Sequence, residues 1–314
     1  MSAPRRSLSP DIKPGGHVET NQTISASKHS TAILTRLSSF FNGILRYSNP
    51  FHIAFRRKFA KNGLMRISDR QSGVTLDAAV ASYGMFRETW YHGDYDVPVC
   101  PMRPNDHVID IGANQGFFSC YAASKGAHVY AFEPFPESCV RLRSNVERNG
   151  FSSRVTISQT AVCGVSGKAM LRCSDFLGGG ANTIIEAHAN ALAKERGVGF
   201  GQTIQIEAVS IDTVLSSIPG RVRLCKMDCE GSEFDLIRSI SDPSQIDSIA
   251  MEFHPRAYPL RDLIEIMANW GTHQISFAKS AYILYAVRNE ILSEYGAGVD
   301  LGLLPFEPKR SHLG

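Results

Sequence analysis

The chain has no apolar run of 18 residues, so no segment reads as a membrane-spanning helix. Its start lacks the short apolar stretch of a secretory signal. That start is rich in Ser and Arg and poor in acids, a composition partly like a mitochondrial transit segment, but Pro4, Pro10 and Pro14 oppose a helix beginning at the first residue. A cytoplasmic location is therefore expected, with mitochondrial targeting the lesser alternative. No two of the seven cysteines make a C-x-x-C pair. The expectation is free, mostly buried thiols in a reducing compartment. Cys225 and Cys229 have no histidine cluster beside them in sequence, and no metal is expected. No internal repeat is visible. A further absence is of glycine. After the apolar run Val108–Ile109–Asp110–Ile111, a dinucleotide fingerprint G-x-G-x-x-G would need glycine where Asn114 and Phe117 stand. Only Gly112 and Gly116 are present, so the turn is poorly built for a pyrophosphate, which points away from NAD.

What is present is a chain of 314 residues with 43% hydrophobic content, enough for one large α/β core with an extension. Its net charge of +3 is uneven. Residues 1–70 hold twelve Lys/Arg and three Asp/Glu, a net of +9, which leaves −6 for 71–314. A nucleic-acid binder would carry its positive charge around its site. The chain divides into a disordered leader (1–26), a helical extension and cover (27–98), a main domain (99–290) and a tail (291–314). Apolar spacing predicts an amphipathic helix near 27–46. Phe55–Arg56–Arg57–Lys58–Phe59 reads as a basic flank beside two core phenylalanines, and the alternative is contact with an acidic membrane surface. Tyr83, Phe86, Trp90, Tyr91 and Tyr95 form an aromatic cover, either core packing or a wall for a sulfonium.

Strands and helices then alternate, which predicts a mostly parallel sheet. Strands are expected at 107–111, 128–132, 155–158, 169–172, 203–207, 222–227, 248–253, 273–278 and 282–287, and helices at 117–125, 136–149, 231–240 and 260–270. The short Lys279–Ser280–Ala281 connection makes the last two strands an antiparallel hairpin. Asp212 is expected to cap a short turn around 213–217. The glycine run from Gly178, with the polar stretch through 202, reads as a flexible lid.

Candidate site residues cluster at strand ends. Glu133 ends the second strand of the main domain, where an acid can accept both hydroxyls of a ribose. With the phosphate-averse turn, this suggests a nucleoside cofactor such as S-adenosylmethionine. Asp110 can orient Gly112 and Asn114 or accept from the cofactor's amino group. The small loop Thr160–Ala161–Val162 either lies against adenine or packs at a strand end. In Lys226–Met227–Asp228–Cys229–Glu230–Gly231–Ser232–Glu233, an extended chain would put Asp228 and Glu230 on one side. Such acids suit a sulfonium, an ammonium or a metal, whereas Glu233 reads as an ordinary helix-entry acid. His254, at the end of Met251–Glu252–Phe253–His254, is a candidate base with Glu252 to orient it, and His92 in the aromatic cover is a second.

Together these motifs resemble the FkbM family of S-adenosylmethionine-dependent methyltransferases, over roughly residues 80–290. The resemblance implies a class I methyltransferase fold with its last two strands antiparallel, and O-methylation of a small molecule. It implies that Gly112, Asn114 and Gly116 line the cofactor turn and that Glu133 holds the ribose. Asp228, Glu230 and Gly231 would surround the methionine moiety and substrate. A non-catalytic nucleoside-binding module and a nucleic-acid methyltransferase are the alternatives. A homo-oligomer is left open.

Overall fold

The computed structural model describes residues 46–59, 63–175, 180–277 and 283–294. Helix α1 (Pro50–Phe59) leads to a hairpin of β1 (Leu64–Ser68) and β2 (Thr75–Ala79). Helix α2 (Tyr83–Arg87) continues as a π-turn over Glu88–His92. Then follow β3 (His107–Ile111), α3 (Phe117–Ser124), β4 (His128–Phe132), α4 (Pro136–Arg148), β5 (Val155–Ser158), β6 (Ala161–Cys163) and β7 (Gly167–Cys173). The chain continues through α5 (Glu186–Arg196), β8 (Gln202–Ser210), α6 (Ile211–Ser217), β9 (Val222–Met227), α7 (Glu233–Ser239) and β10 (Ser248–Glu252). The last described elements are α8 (Leu260–Asn269), β11 (His273–Phe277), β12 (Ile283–Arg288) and α9 (Asn289–Glu294).

Seven strands form the main sheet in the order β11-β12-β10-β9-β3-β4-β5. The pairs β4–β5, β3–β4, β3–β9 and β9–β10 are parallel, whereas β12 is antiparallel to both β10 and β11. Every residue of β9 is buried, as a central parallel strand with both faces covered requires. The chain runs outward from β3 to β5 and returns on the other side at β9. The strand order therefore reverses between β3 and β9, and a crevice opens beyond their C-terminal ends. One face packs Phe86, Trp90, Phe117 and Leu142, and the other packs Ile109, Leu236 and Met267. Ile53, Ile67 and Leu76 of the N-terminal elements share the first cluster with Val108 and Val129, so the cover and the main sheet have one core. A second sheet, β6-β8-β7, flanks the main one.

Several expectations change here. Phe55 and Phe59 are not core residues. They are 59% and 65% exposed, and Ile53 on the opposite side of α1 is the buried anchor. Helix α5 occupies much of the stretch read as a lid. Thr160–Ala161–Val162 is not all loop, because Ala161 begins β6. Ser210 caps α6 by accepting from the Thr213 amide, while Asp212 accepts from the Ser241 amide. Helix α7 starts two residues later than expected, because Glu230 and Gly231 both adopt positive φ (53° and 102°). That turn also breaks the extended run assumed for Asp228 and Glu230. All seven cysteines are free, five of them buried. Helix 27–46, except for its last residue, lies outside the described residues, as do the leader 1–26, Gly178, Gly179, the Lys279–Ser280–Ala281 connection and the tail beyond 294. Among the described residues, no helix is long and apolar enough to cross a membrane.

Candidate active site

The turn after β3 is built without room for side chains. Gly112 has φ +76°, and a Cβ there would stand 1.8 Å from the Asp228 carbonyl oxygen. Its amide and that of Ala113 both donate to the Phe132 carbonyl at 3.0 Å. The Asn114 amide donates to Glu133 Oε2 (2.7 Å), the Gln115 amide to Asn114 Oδ1 (2.8 Å), and the Gly116 amide to the Ala113 carbonyl (2.8 Å). All five amides from Gly112 to Gly116 are thus committed within the protein. A phosphate needs free amides at such a turn, and this one offers none. Glu133 is nearly buried at the tip of β4, where Oε1 also accepts from the Phe135 amide (2.8 Å). Burial outweighs those hydrogen bonds and raises its carboxyl to about 7.

A cleft opens over this turn, lined among others by Gly112, Asn114, Glu133, Ala161, Asp228 and Glu230. None of its lining residues is Lys or Arg. A smaller chamber shares Gly112, Asn114 and Asp228 with it and adds Glu88, Tyr95 and Lys226. Lys226 is buried, with Nζ 3.2 Å from Asp110 Oδ1 and 3.7 Å from Asp228 Oδ2, and it donates to the carbonyls of Ile111 (3.3 Å) and Gly112 (2.8 Å). Burial alone would lower its pKa, but the two aspartates outweigh it, so the cation is kept. The Tyr95 hydroxyl donates to Asp228 Oδ2 (3.1 Å) and stands 3.5 Å from Glu252 Oε2. Glu252 is half-buried. Burial, then the negative Asp228, hold its carboxyl well above the usual range. Beyond it, His254 Nδ1 is 3.0 Å from Glu233 Oε1, and Nε2 is 3.5 Å from Glu230 Oε2. Burial works to lower the His254 pKa, yet Glu233, Glu230 and Glu252 outweigh it and hold it well above the usual value. Glu233, fully buried, also accepts from the Cys229 and Gly231 amides and the Tyr258 hydroxyl. These bonds and His254 overcome burial and bring it down to about 2.

A family model described as the methyltransferase FkbM domain matches residues 110–273. The chain belongs to this family. Among its relatives, the 31-O-demethyl-FK506 methyltransferase FkbM of Streptomyces tacrolimicus is 25% identical over 238 residues, 66% of this chain and 87% of the relative. Methyltransferase sdnD of Sordaria araneosa is 26% identical over 197 residues, 56% of this chain and 74% of that one. Among solved structures, a methyltransferase FkbM from Methylobacillus flagellatus KT is 20% identical with a TM-score of 0.39; the match covers 58% of this chain and only 43% of that one. The magnesium protoporphyrin IX methyltransferase of Synechocystis PCC 6803, solved with S-adenosylmethionine bound, is 14% identical with a TM-score of 0.37, over 67% of this chain and 81% of that one. The family assignment rests on the domain match.

This FkbM-family chain is a methyltransferase with the class I sheet, and its cofactor is S-adenosylmethionine. The site fits that group. The phosphate-averse turn suits a nucleoside, and the cleft, with Asp228, Glu230 and Glu133 and without Lys or Arg in its lining, suits a sulfonium. Of the expected cofactor residues, Gly112, Asn114, Glu133, Ala161, Asp228 and Glu230 do line the cleft. Asp110 does not. It is fully buried, paired with Lys226 and accepting from the Ser119 hydroxyl (2.6 Å). Gly116 does not line it either. It stands before α3 at φ +85°, where a Cβ would meet Leu142 at 2.6 Å, so it serves helix packing. His92 lies away from both chambers, with Nε2 3.1 Å from an Arg87 nitrogen. His254 adjoins Glu230 and is in the lining of neither chamber. In the aromatic cover, Phe86 and Trp90 are core, and Tyr95 is the member that reaches the smaller chamber. Glu88, Lys226 and His188 were not singled out as site residues. Glu88 is a polar residue among the rings of the aromatic cover, His188 lies in a segment without a motif, and Lys226 reads as one more residue of a strand.

Proposed function

We propose that this methyltransferase acts on an oxygen of a small molecule, and on a hydroxyl rather than a carboxylate. Asp228 and Glu230, which line the cleft, carry the reading together with Glu252 close to Asp228, because carboxyl groups there accept hydrogen bonds from a neutral hydroxyl. The same groups disfavour a nucleic-acid backbone. The Streptomyces relative is named as acting on a 31-O-demethyl compound, which agrees with an oxygen acceptor.

The cofactor supplies an electrophilic methyl group on a sulfonium, so a new C–O bond forms as the C–S bond breaks, releasing S-adenosylhomocysteine and the hydroxyl proton. Glu133 accepts from the ribose hydroxyls. Asp228 and Glu88 accept from the ammonium at the smaller chamber. Ala161 and its apolar neighbours offer a surface for adenine. Glu252, the acid with raised proton affinity, takes the hydroxyl proton when ionised. Tyr95 fixes the positions of Asp228 and Glu252. Holding both reactants in line is the larger part of the work. The test is a product screen with methyl-labelled cofactor over alcohols, sugars, polyketide hydroxyls and small acids. Label on a hydroxyl oxygen, with equimolar S-adenosylhomocysteine, is expected. Label found only on carboxylates or nucleic acid contradicts the reading.

A further inference from the structure

Beside the cleft, two histidines without a part in the cofactor reading meet Glu230 of its lining. His188 on α5 is 1% exposed. Its Nε2 is 3.3 Å from Glu230 Oε2, the same oxygen that lies 3.5 Å from His254 Nε2. One donor atom from each of these three residues lies within 4.8 Å of the others. Four ligands at tetrahedral positions about 2.0–2.1 Å from an ion stand about 3.3 Å apart, which is the spacing of the two measured pairs. A second set, Asp228, Glu252 and His254, meets the same 4.8 Å limit and shares His254.

Two further observations set this apart from a cluster of acids. His188 is a buried side chain whose polar contact is inside the cluster: Nε2 faces Glu230, and Nδ1 has no hydrogen-bond partner. His254 has its Nδ1 held by the fully buried Glu233, so its Nε2 is the nitrogen aimed at Glu230. A carboxylate behind an imidazole is the usual outer support of a metal-bound histidine. The approach of α5 is also fixed. Thr183 donates its hydroxyl to the Glu230 carbonyl (2.6 Å), and a Cβ on Gly231 would stand 3.3 Å from the His188 ring.

We propose that His188, Glu230 and His254 bind a divalent first-row transition-metal ion, with the rest of its shell open to the acceptor oxygen. Two imidazoles and a carboxylate favour such an ion over Mg²⁺ or Ca²⁺, which prefer all-oxygen shells. This departs from the metal-free expectation of the sequence. It deepens the oxygen-acceptor reading and rests on it for its use, since an ion there would acidify a bound hydroxyl.

The test uses the full-length protein, stripped with a chelator and titrated calorimetrically with Zn²⁺, then with Co²⁺ while the visible spectrum is recorded. One ion per chain is expected, with a cobalt spectrum unlike that of the aqueous ion. His188→Ala and Glu230→Gln should each weaken Zn²⁺ at least tenfold, with melting temperature in chelator as the control of folding. If a variant fails to fold, Thr183→Val, which loosens Glu230 without removing a donor, should still weaken the ion. Absence of stoichiometric binding, or equal affinity in wild type and folded variants, overturns the proposal. Methyl transfer to a hydroxyl without any bound ion overturns the metal and leaves the acceptor reading intact. Stoichiometric Zn²⁺ with no oxygen acceptor does the reverse.

Discussion

At Glu133 a nearly buried carboxylate has its proton affinity raised to about 7. Ribose hydroxyls donate to the ionised form, so protonation competes with the cofactor. Affinity for S-adenosylmethionine should therefore fall as pH drops below about 7, by up to tenfold per unit. Calorimetry from pH 5 to 8 should show this slope in wild type and its loss in Glu133→Gln. The Glu233–His254 pair acts on stability instead. Glu233 is brought from 4.5 to about 2, so its contribution is present above 4.5 and is lost as pH falls toward 2. His254 is raised above 6.5, so its contribution is complete below 6.5 and is lost as pH rises through its elevated value. Removing one partner of so buried a pair costs about 3–5 kcal/mol. Glu233→Gln should lower the melting temperature at pH 5–6, and its melting should vary less than wild type between pH 5 and 2. A variant that tracks wild type across that range would show that the pair does not stabilise the fold.

Helix α1 separates two residues that look alike in sequence. Ile53 is 3% exposed, whereas Phe55 is 59% exposed. Ile53→Ala should cost about 2 kcal/mol or more by leaving a cavity, and Phe55→Ala about 0.5 kcal/mol or less. Denaturant unfolding of both variants checks the ranking, and equal losses would contradict it. The same contrast shows what was legible. The strands of the main sheet were readable because β3, β9 and β10 are short stretches rich in Val, Ile, Leu and Met that end in polar turns. Glu133 was readable because an acid stands where β4 ends. Helix α5 was not, because its amphipathicity is weak and its start has no side-chain cap. The hairpin β1–β2 was hidden because its strands carry few β-branched residues and include Arg66 and Asp77. The site was half legible for a related reason. Motif residues stand out along the chain, but Asp110 reaches inward to Lys226, and His188 meets Glu230 only through folding. Sequence proximity also misled at His254, where Glu233, read as a helix-entry acid, is the residue that charges the imidazole.

For the whole molecule, one core joins the N-terminal cover to the main sheet. Removing residues 1–20 should leave a folded, active protein. Removing residues 1–80 deletes Ile53, Ile67 and Leu76 from that core, and the product should be insoluble or melt far lower. Equal melting and activity of both truncations would show that the hairpin and α1 are dispensable. The assembled cleft makes a stronger demand: binding and transfer must be separable. Single-turnover methyl transfer to a hydroxyl acceptor, measured beside cofactor affinity in wild type and Glu252→Gln, tests this most directly. The account predicts affinity within about threefold of wild type and transfer slowed by about 100-fold or more, the scale of a lost general base. Transfer at the wild-type rate with Gln at position 252 would contradict it.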